Sequence, residues 1–490
     1  MSSQQMATPE SGALSTLSDE YQGRHLVKAI RWWDGFVLAL SVPVFLFASL
    51  GVSVAVLGVL GAILMWLVSV VIGALQNEIY AELSTMMPNK SGGIGIYANE
   101  GLKRYTTLIG PLAVWGYWFG WSTVLSINGL LVGNYLQAEI WPKSDPNIVP
   151  KVIGTGMLVG LWLFNVFGLR PGVWLSWLTG ILTMIPLLIV MIVPYVNGSF
   201  HGSNLQPLGV PGHLSTWTTI SLFITWLYLA CWTTYGFECV ATFAPEFADT
   251  IKDTPRALRS SAIFSVLVYG LVPLGLVGAL GTAKLNSNLY TTFIPALNAI
   301  LGTGAGTLIV VFVVASLVLS ANVATMDGSR ALWQMSRDRL TVTWLGRLNP
   351  RGVPDAGMTL DLIVQVAMIW TLGSPLAILA ASNLGYVLSH VAALTAFILL
   401  RRDQPNALRP IRRGPIWLWI AGILAVVNSV FIVVGSLQYN LSVGNFTAPF
   451  SENLKIFLIG VALLLIAFLM YLYRVYVQDR SQPAAEIAKS

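Results

Sequence analysis

Apolar runs long enough to cross a bilayer follow one another along almost the whole chain, separated by short polar stretches rich in arginine and lysine. Against a span of about 20 residues per helix, they predict about twelve transmembrane helices, near 32–57, 58–86, 105–139, 149–168, 171–196, 217–248, 257–283, 302–335, 354–372, 375–401, 415–438 and 453–477. The expected fold class is an all-α polytopic membrane protein folding as one bundle. Only 10% of the residues are charged, against about one quarter in an average soluble domain, which excludes a string of soluble domains. The third helix is long for a bilayer and is expected to tilt or overhang it. Residues 1–22, rich in Ser, Gln and Thr, carry no apolar pattern and are expected to be disordered. No signal sequence precedes the first apolar run, which then doubles as the insertion signal.

The net charge of +6 reflects topology. With the N-terminus inside, all 27 basic residues except Lys143, Lys151, Lys284 and Lys455 fall in cytoplasmic segments. This positive-inside bias predicts a multi-pass protein of the plasma or bacterial inner membrane with both termini cytoplasmic, and it leaves no nucleic-acid footprint. Cys231 and Cys239 share one membrane segment and form neither a zinc nor a disulfide framework. His25, His201, His213 and His390 are scattered, with no nucleophile–base pair or metal cluster. No enzyme is indicated, and no cofactor or metal is implied. A channel would need rings of like charge or filter carbonyls from repeated subunits, and no such repeat is present.

The chemistry gathers at two interruptions. Trp232-Thr233-Thr234-Tyr235-Gly236-Phe237-Glu238 lies inside the apolar run 220–240. A carboxylate at membrane depth faces a protein interior or a watery cavity, and glycine among polar residues marks a place where a helix opens its backbone to a ligand. Ser41-Val42-Pro43-Val44-Phe45 interrupts the first helix in the same way. Pro43 removes one helical hydrogen bond and clashes one turn back, and the freed carbonyls need partners inside the protein. The interruptions fall in helices 1 and 6, corresponding places in two halves of five helices each. Matched breaks of this kind point to a transporter site. Exposed N–H groups there favour a carboxylate and exposed carbonyls a cation. Trp232 over an ammonium or guanidinium is worth about 2 kcal/mol when desolvated.

Several motifs extend the reading. They are Tyr80-Ala-Glu82-Leu, then Pro88, Gly92-Gly93 and Tyr97; Gly236-Phe-Glu238 with Pro245-Glu246 and Asp253-Thr-Pro255-Arg256; Ser329-Arg330 through Arg337-Asp338 with Asn349-Pro and Pro354; and Arg401-Arg-Asp-Gln-Pro405 with Arg409-Pro410. In this order and spacing the chain resembles the amino acid–polyamine–organocation (APC) superfamily of secondary transporters over nearly its whole length. The resemblance implies a LeuT-like five-plus-five inverted repeat with discontinuous helices 1 and 6, and a central site between helices 1, 3, 6 and 8. It divides the chain into a cytoplasmic segment 1–22, a ten-helix core 23–401, two additional helices in 402–477 and a tail 478–490. The helix 6 segment is most similar to that of the bacterial arginine–agmatine exchangers, which implies that Trp232 stacks on substrate and Glu238 senses protons or gates.

The expected function is alternating-access transport of an amino acid or a related organic amine. A polyamine- or amine-selective carrier or exchanger is the alternative, and a nutrient sensor on a transporter fold is a further one. Expected substrate-binding residues are Ser41, Val42, Pro43, Val44, Phe45, Asn128, Trp232, Thr233, Thr234 and Gly236. Glu238, Glu78 and Glu82 are candidates for coupling or gating, although Glu78 and Glu82, on one helix face at i, i+4, can equally pair with cytoplasmic arginines. Ser316, Ser320 and Asn322 are a possible ion site, with proton or sodium as the coupling ion; hydroxyls there can instead bond the backbone one turn back. Asn383, Tyr386 and His390 can face the pathway. Asp327 is expected to pair with Arg330, and Asp34 to serve the N-terminal dipole of the first helix. Where many members of the superfamily have Gly-Ser-Gly-Ile-Phe in helix 1, this chain has Ser41 to Phe45, without the glycines. Helix 5, across Trp174 to Val193, has no lysine to serve as a proton switch.

Overall fold

The computed structural model describes residue 26 and residues 28–480, except 207, 211, 213, 287–291, 303–305 and 372–374, and leaves the side chains at 44, 45, 47, 48, 286, 306 and 307 undescribed. The segment 1–22 and residues 481–490 of the expected tail lie outside the described residues. Among those residues the fold is helical, with one isolated parallel bridge between Ile30 and Phe247.

Helix α1 spans Trp32–Ala39. At its start Asp34 accepts from Arg31 N (2.8 Å) and from Trp177 Nε1 (2.8 Å), placing negative charge at the positive end of the helix as expected. The chain then leaves the helix, makes one 3-10 turn over Val42–Phe45 around Pro43, and resumes as α2, Leu46–Met86. α2 is broken at Gly58, whose φ is +71°. A Cβ there would lie 2.1 Å from the Gly209 carbonyl, and Leu60 N donates to Leu208 O across the break (3.1 Å). Only glycine meets both demands, and the division expected between 57 and 58 falls at this residue.

α3 (Gly93–Leu102) is a short buried helix that the apolar runs do not announce, being too brief to span. α4 (Ile109–Ile140), α5 (Val149–Val166) and α6 (Leu169–Val196) follow. α7 (Thr216–Thr234) is capped by Ser215, whose Oγ accepts from Thr218 N (3.1 Å). It gives way to a 3-10 segment, Gly236–Glu246. α8 (Thr250–Leu280) begins earlier than expected because Asp249 caps it, accepting from Lys252 N (3.2 Å). After the short α9 (Thr282–Asn286) and α10 (Phe293–Leu301) come α11 (Gly306–Arg337), α12 (Asp355–Thr371) and α13 (Pro375–Asp403). α14 (Ile416–Val430), α15 (Tyr439–Ser442) and α16 (Phe450–Tyr473) close the chain.

Among the described residues nine helices are long and apolar enough to cross a membrane. α4 is not one of them, since its tryptophans, tyrosines and hydroxyl residues lower its hydropathy. Protein rather than lipid covers it: almost every residue from Gly110 to Tyr135 is buried, against α5, α11 and α13. Its backbone touches that of α13, where a Cβ on Gly116 would stand 2.5 Å from Gly385 O. Small residues allow such close approach between membrane helices. α16 is the opposite case, with only Gly460 and Ala467 buried.

Ion pairs tie the helix ends together. Glu82 accepts from Arg401 Nε (2.6 Å) and Nη2 (2.5 Å), from Arg413 N (2.8 Å), and faces Arg409 Nε at 3.3 Å. Glu78 pairs with Arg259 (3.0 Å) and with the Arg413 guanidinium. Arg330 does not pair with Asp327 as expected. Its fork closes on Glu246 (2.5 and 3.0 Å), because the 3-10 segment after α7 brings that carboxylate against α11.

Candidate functional site

The two interruptions meet. Val42 O, freed by the turn at Pro43, accepts from the Thr233 hydroxyl (2.6 Å) and from Tyr269 Oη (3.3 Å), which bond each other at 2.6 Å. The break in the first helix is thus satisfied by the last turn of α7, as a carbonyl withdrawn from lipid must be. Between them lies a cavity of about 20 Å³ lined by Ser41, Val42, Gly120, Trp121, Val124, Asn128, Trp232, Thr233, Gly236, Ser320 and Tyr386. That volume holds one water-sized body, so the site is contracted around its own side chains.

Trp232 spans the cavity to α4, donating to Gly120 O (2.8 Å). Gly236 faces the Trp121 ring and Val42, where a Cβ would stand at ordinary contact distance, 3.4 Å and 3.5 Å away. Trp121 Nε1 (3.2 Å) and Tyr386 Oη (2.8 Å) both donate to Glu238 Oε1, so Glu238 sits directly behind two cavity walls. Asn128 donates to Leu317 O (3.2 Å). The Ser41 hydroxyl is buried without a hydrogen-bond partner among the described residues. The lining therefore offers aromatic faces, hydroxyls and amide oxygen, a set suited to an ammonium or amino-acid head group.

Of the expected substrate residues, the structure brings Ser41, Val42, Asn128, Trp232, Thr233 and Gly236 to one cavity. Pro43 does not line it, and the side chains of Val44 and Phe45 are outside the description. Thr234 turns away to bond Ser69 (2.6 Å) and Ala230 O (3.0 Å). Glu78 and Glu82 stand in the arginine pairs described above. The three residues of the possible ion site are not gathered. Ser320 lines the cavity, Ser316 bonds Phe312 O (2.8 Å), and Asn322 is held by Asn165, Gly172 O and Ser176. Of the three α13 residues, Tyr386 lines the cavity, Asn383 donates to Tyr228 O, and His390 Nδ1 meets Tyr80 Oη (2.8 Å) and Gln76 Oε1 (2.6 Å).

Gly120, Trp121 and Val124 were not singled out in the sequence. The signal was Trp115, Trp118 and Trp121 at a spacing of three, an aromatic stripe hidden among 18 tryptophans.

Comparison with known proteins places the chain among transporters. A family model described as amino acid permease matches residues 30–469. An uncharacterized transporter of Mycobacterium tuberculosis is 25% identical over 338 residues, covering 68% of this chain and 71% of its own. An arginine/ornithine antiporter of Lactococcus lactis subsp. cremoris is 25% identical over 335 residues, covering 64% and 62%. A polyamine transporter of Oryza sativa subsp. japonica is 27% identical over 376 residues, covering 74% and 65%.

Proposed function

We propose, for a chain that belongs to the amino acid permease family, that it carries an amino acid or a related organic amine across a cell membrane by alternating access around the two broken helices. The observation that carries this reading is the single cavity walled by both interruptions, with Ser41 and Val42 on one side and Trp232, Thr233 and Gly236 on the other. Its contracted volume corresponds to a closed stage of the cycle. Opening requires Trp232 to leave Gly120 and the α1–α2 turn to part from Thr233. The solute's ammonium then lies against the aromatic walls, where a desolvated cation gains about 2 kcal/mol.

The wider arrangement belongs to the same proposal. It comprises about twelve spans, a LeuT-like five-plus-five inverted repeat over 23–401, two additional helices in 402–477, and cytoplasmic termini consistent with the basic residues. Glu238 is the gating or proton-sensing residue behind the cavity. Glu78 and Glu82, with their arginines, latch the end of the bundle that the positive-inside rule assigns to the cytoplasm.

An amine-selective carrier is the second reading, and Pro43 favours it. The turn lacks an amide hydrogen at that position, which weakens it as a carboxylate cradle. Uptake into proteoliposomes, run with amino acids beside their decarboxylated amines, separates the two. Competition by an amino acid but not by its amine supports the first reading, and the reverse supports the second. No uptake or counterflow of any member of the panel would overturn both.

A further inference from the structure

One short stretch of α4 holds three buried carboxylates. Tyr117 Oη donates to Asp327 Oδ1 (3.0 Å), Trp121 Nε1 donates to Glu238 Oε1 (3.2 Å), and Trp118 Nε1 (2.8 Å) and Ser122 Oγ (2.5 Å) both donate to Asp361 Oδ1. The carboxylates come from different elements: Glu238 from the 3-10 segment, Asp327 from α11 and Asp361 from α12. All three side chains are fully buried. In each, one oxygen collects these donors, while Glu238 Oε2, Asp327 Oδ2 and Asp361 Oδ2 have no hydrogen-bond partner among the described residues.

Among the described residues no cation forms an ion pair with any of the three, and Arg330 acts only on Asp327, from a distance. The charge acting on Asp361 is that of Asp327, one residue from Gly328, where a Cβ would stand 3.3 Å from Asp361 Oδ2. Asp327 faces Tyr117 on α4, Glu238, Cys239 and the Thr242 hydroxyl on the 3-10 segment, Asp361 on α12, and Arg330 on its own helix. Arg330 is already committed to Glu246 and Met326 O. An ionised carboxylate without a cation costs several kcal/mol even after relaxation, and neighbouring like charges add to that. A bound proton on the free oxygen removes the cost. Carboxylates so placed at membrane depth serve as proton relays.

The same stretch also walls the solute cavity, through Trp121 and through Gly120 O, which holds Trp232. We propose that Asp361 is a proton-carrying residue of the transport cycle, with Asp327 beside it. A proton from the aqueous phase binds the free oxygen of the Asp361 carboxylate on one side of the membrane and leaves to water on the other. Movement of residues 117–122 as solute enters or leaves shifts the donors on Asp361 and so ties its proton to solute occupancy. Asp361 touches no solute and acts through α4. This inference rests on the transport reading above.

The test compares two activities of each purified variant in proteoliposomes: solute uptake driven by an inward proton gradient, and solute counterflow at equal pH. Taking their ratio within each variant removes any loss of folded protein. Asp361→Asn, which keeps the oxygen that accepts from Trp118 and Ser122, is expected to lower the ratio by more than about fivefold, the scale of an ordinary coupling energy, and to flatten the pH profile of uptake. Asp361→Glu should restore part of both. Should Asp361→Asn fail to fold, Gly328→Ala, which presses a methyl on the free oxygen, is expected to shift the pH midpoint of driven uptake. A wild-type ratio and pH profile in Asp361→Asn, an unmoved midpoint in Gly328→Ala where that variant serves, or wild-type uptake indifferent to the gradient would overturn the assignment. Absence of wild-type counterflow with every amino acid and amine would instead sink the transport reading.

Discussion

Two sets of acidic side chains are withdrawn from water in this protein, and they are handled in opposite ways. Glu82 and Glu246 are locked by arginine forks at the helix ends, with every oxygen engaged. Glu238, Asp327 and Asp361 are equally buried, yet each keeps one oxygen free and leans on neutral donors from α4. A buried carboxylate paired with arginine cannot change its charge without leaving the cation unpaired. One held by tyrosine, tryptophan and serine can take a proton and keep its neighbours. The first set fixes the bundle, and the second is free to switch.

The sharpest way to break this contrast is Glu246→Gln. It leaves Arg330 charged and buried without its partner, and is expected to cost about 3–5 kcal/mol, seen as a large fall in melting temperature in detergent. Adding Arg330→Met should recover much of that loss. An unchanged melting temperature in Glu246→Gln would mean that the pair is not a lock.

Next in size is the cavity itself. Trp232→Leu is expected to forfeit about 2 kcal/mol of contact with a cationic head group, or roughly 30-fold in half-saturating solute concentration, with the fold intact. Glu238→Gln is expected to leave the melting temperature near that of the parent, because no cation loses its partner. A fall matching that of Glu246→Gln would erase the distinction between the two sets.

The smallest effect is at the start of α8. The Lys252 backbone N–H, with lesser help from the Lys252 side chain, holds the exposed Asp249 carboxyl below its ordinary value of 3.8. A depressed folded value means that the carboxylate contributes stability above the unfolded value, and that this is lost as pH falls through the lower folded one. Asp249→Ala should therefore lower the melting temperature slightly at neutral pH. That difference from the parent should fade in acid below 3.8.

What the sequence made legible followed from local chemistry. Pro43 and Gly236 mark the two interruptions that were visible in the chain, and the helix boundary expected between 57 and 58 falls at Gly58. Asp34 and its helix start were legible for the same reason. The third dimension was not. Arg330 sits three residues from Asp327, a spacing that invites a pair, yet Glu246 reaches it from another element. Tyr386 was a pathway candidate from the sequence and lines the cavity, but Trp121 was not, because aromatic residues stand on several faces of α4 and periodicity could not say which turned inward. Asp361 was findable, since an aspartate in the middle of an apolar run needs a reason to be there. Its relation to Asp327 and Glu238 depends on α4 passing between three elements, which no local pattern reports.

The central claim is that the cavity between the two helix breaks is the solute site. It is tested most directly by thermal unfolding of the purified parent and Trp232→Leu against a panel of amino acids, their decarboxylated amines and polyamines. A ligand that binds only the folded state raises the melting temperature by mass action. The account predicts that at least one member of the panel raises it in the parent and that Trp232→Leu loses most of that rise. An equal rise in both proteins would place the solute elsewhere, and no rise in the parent would contradict the account.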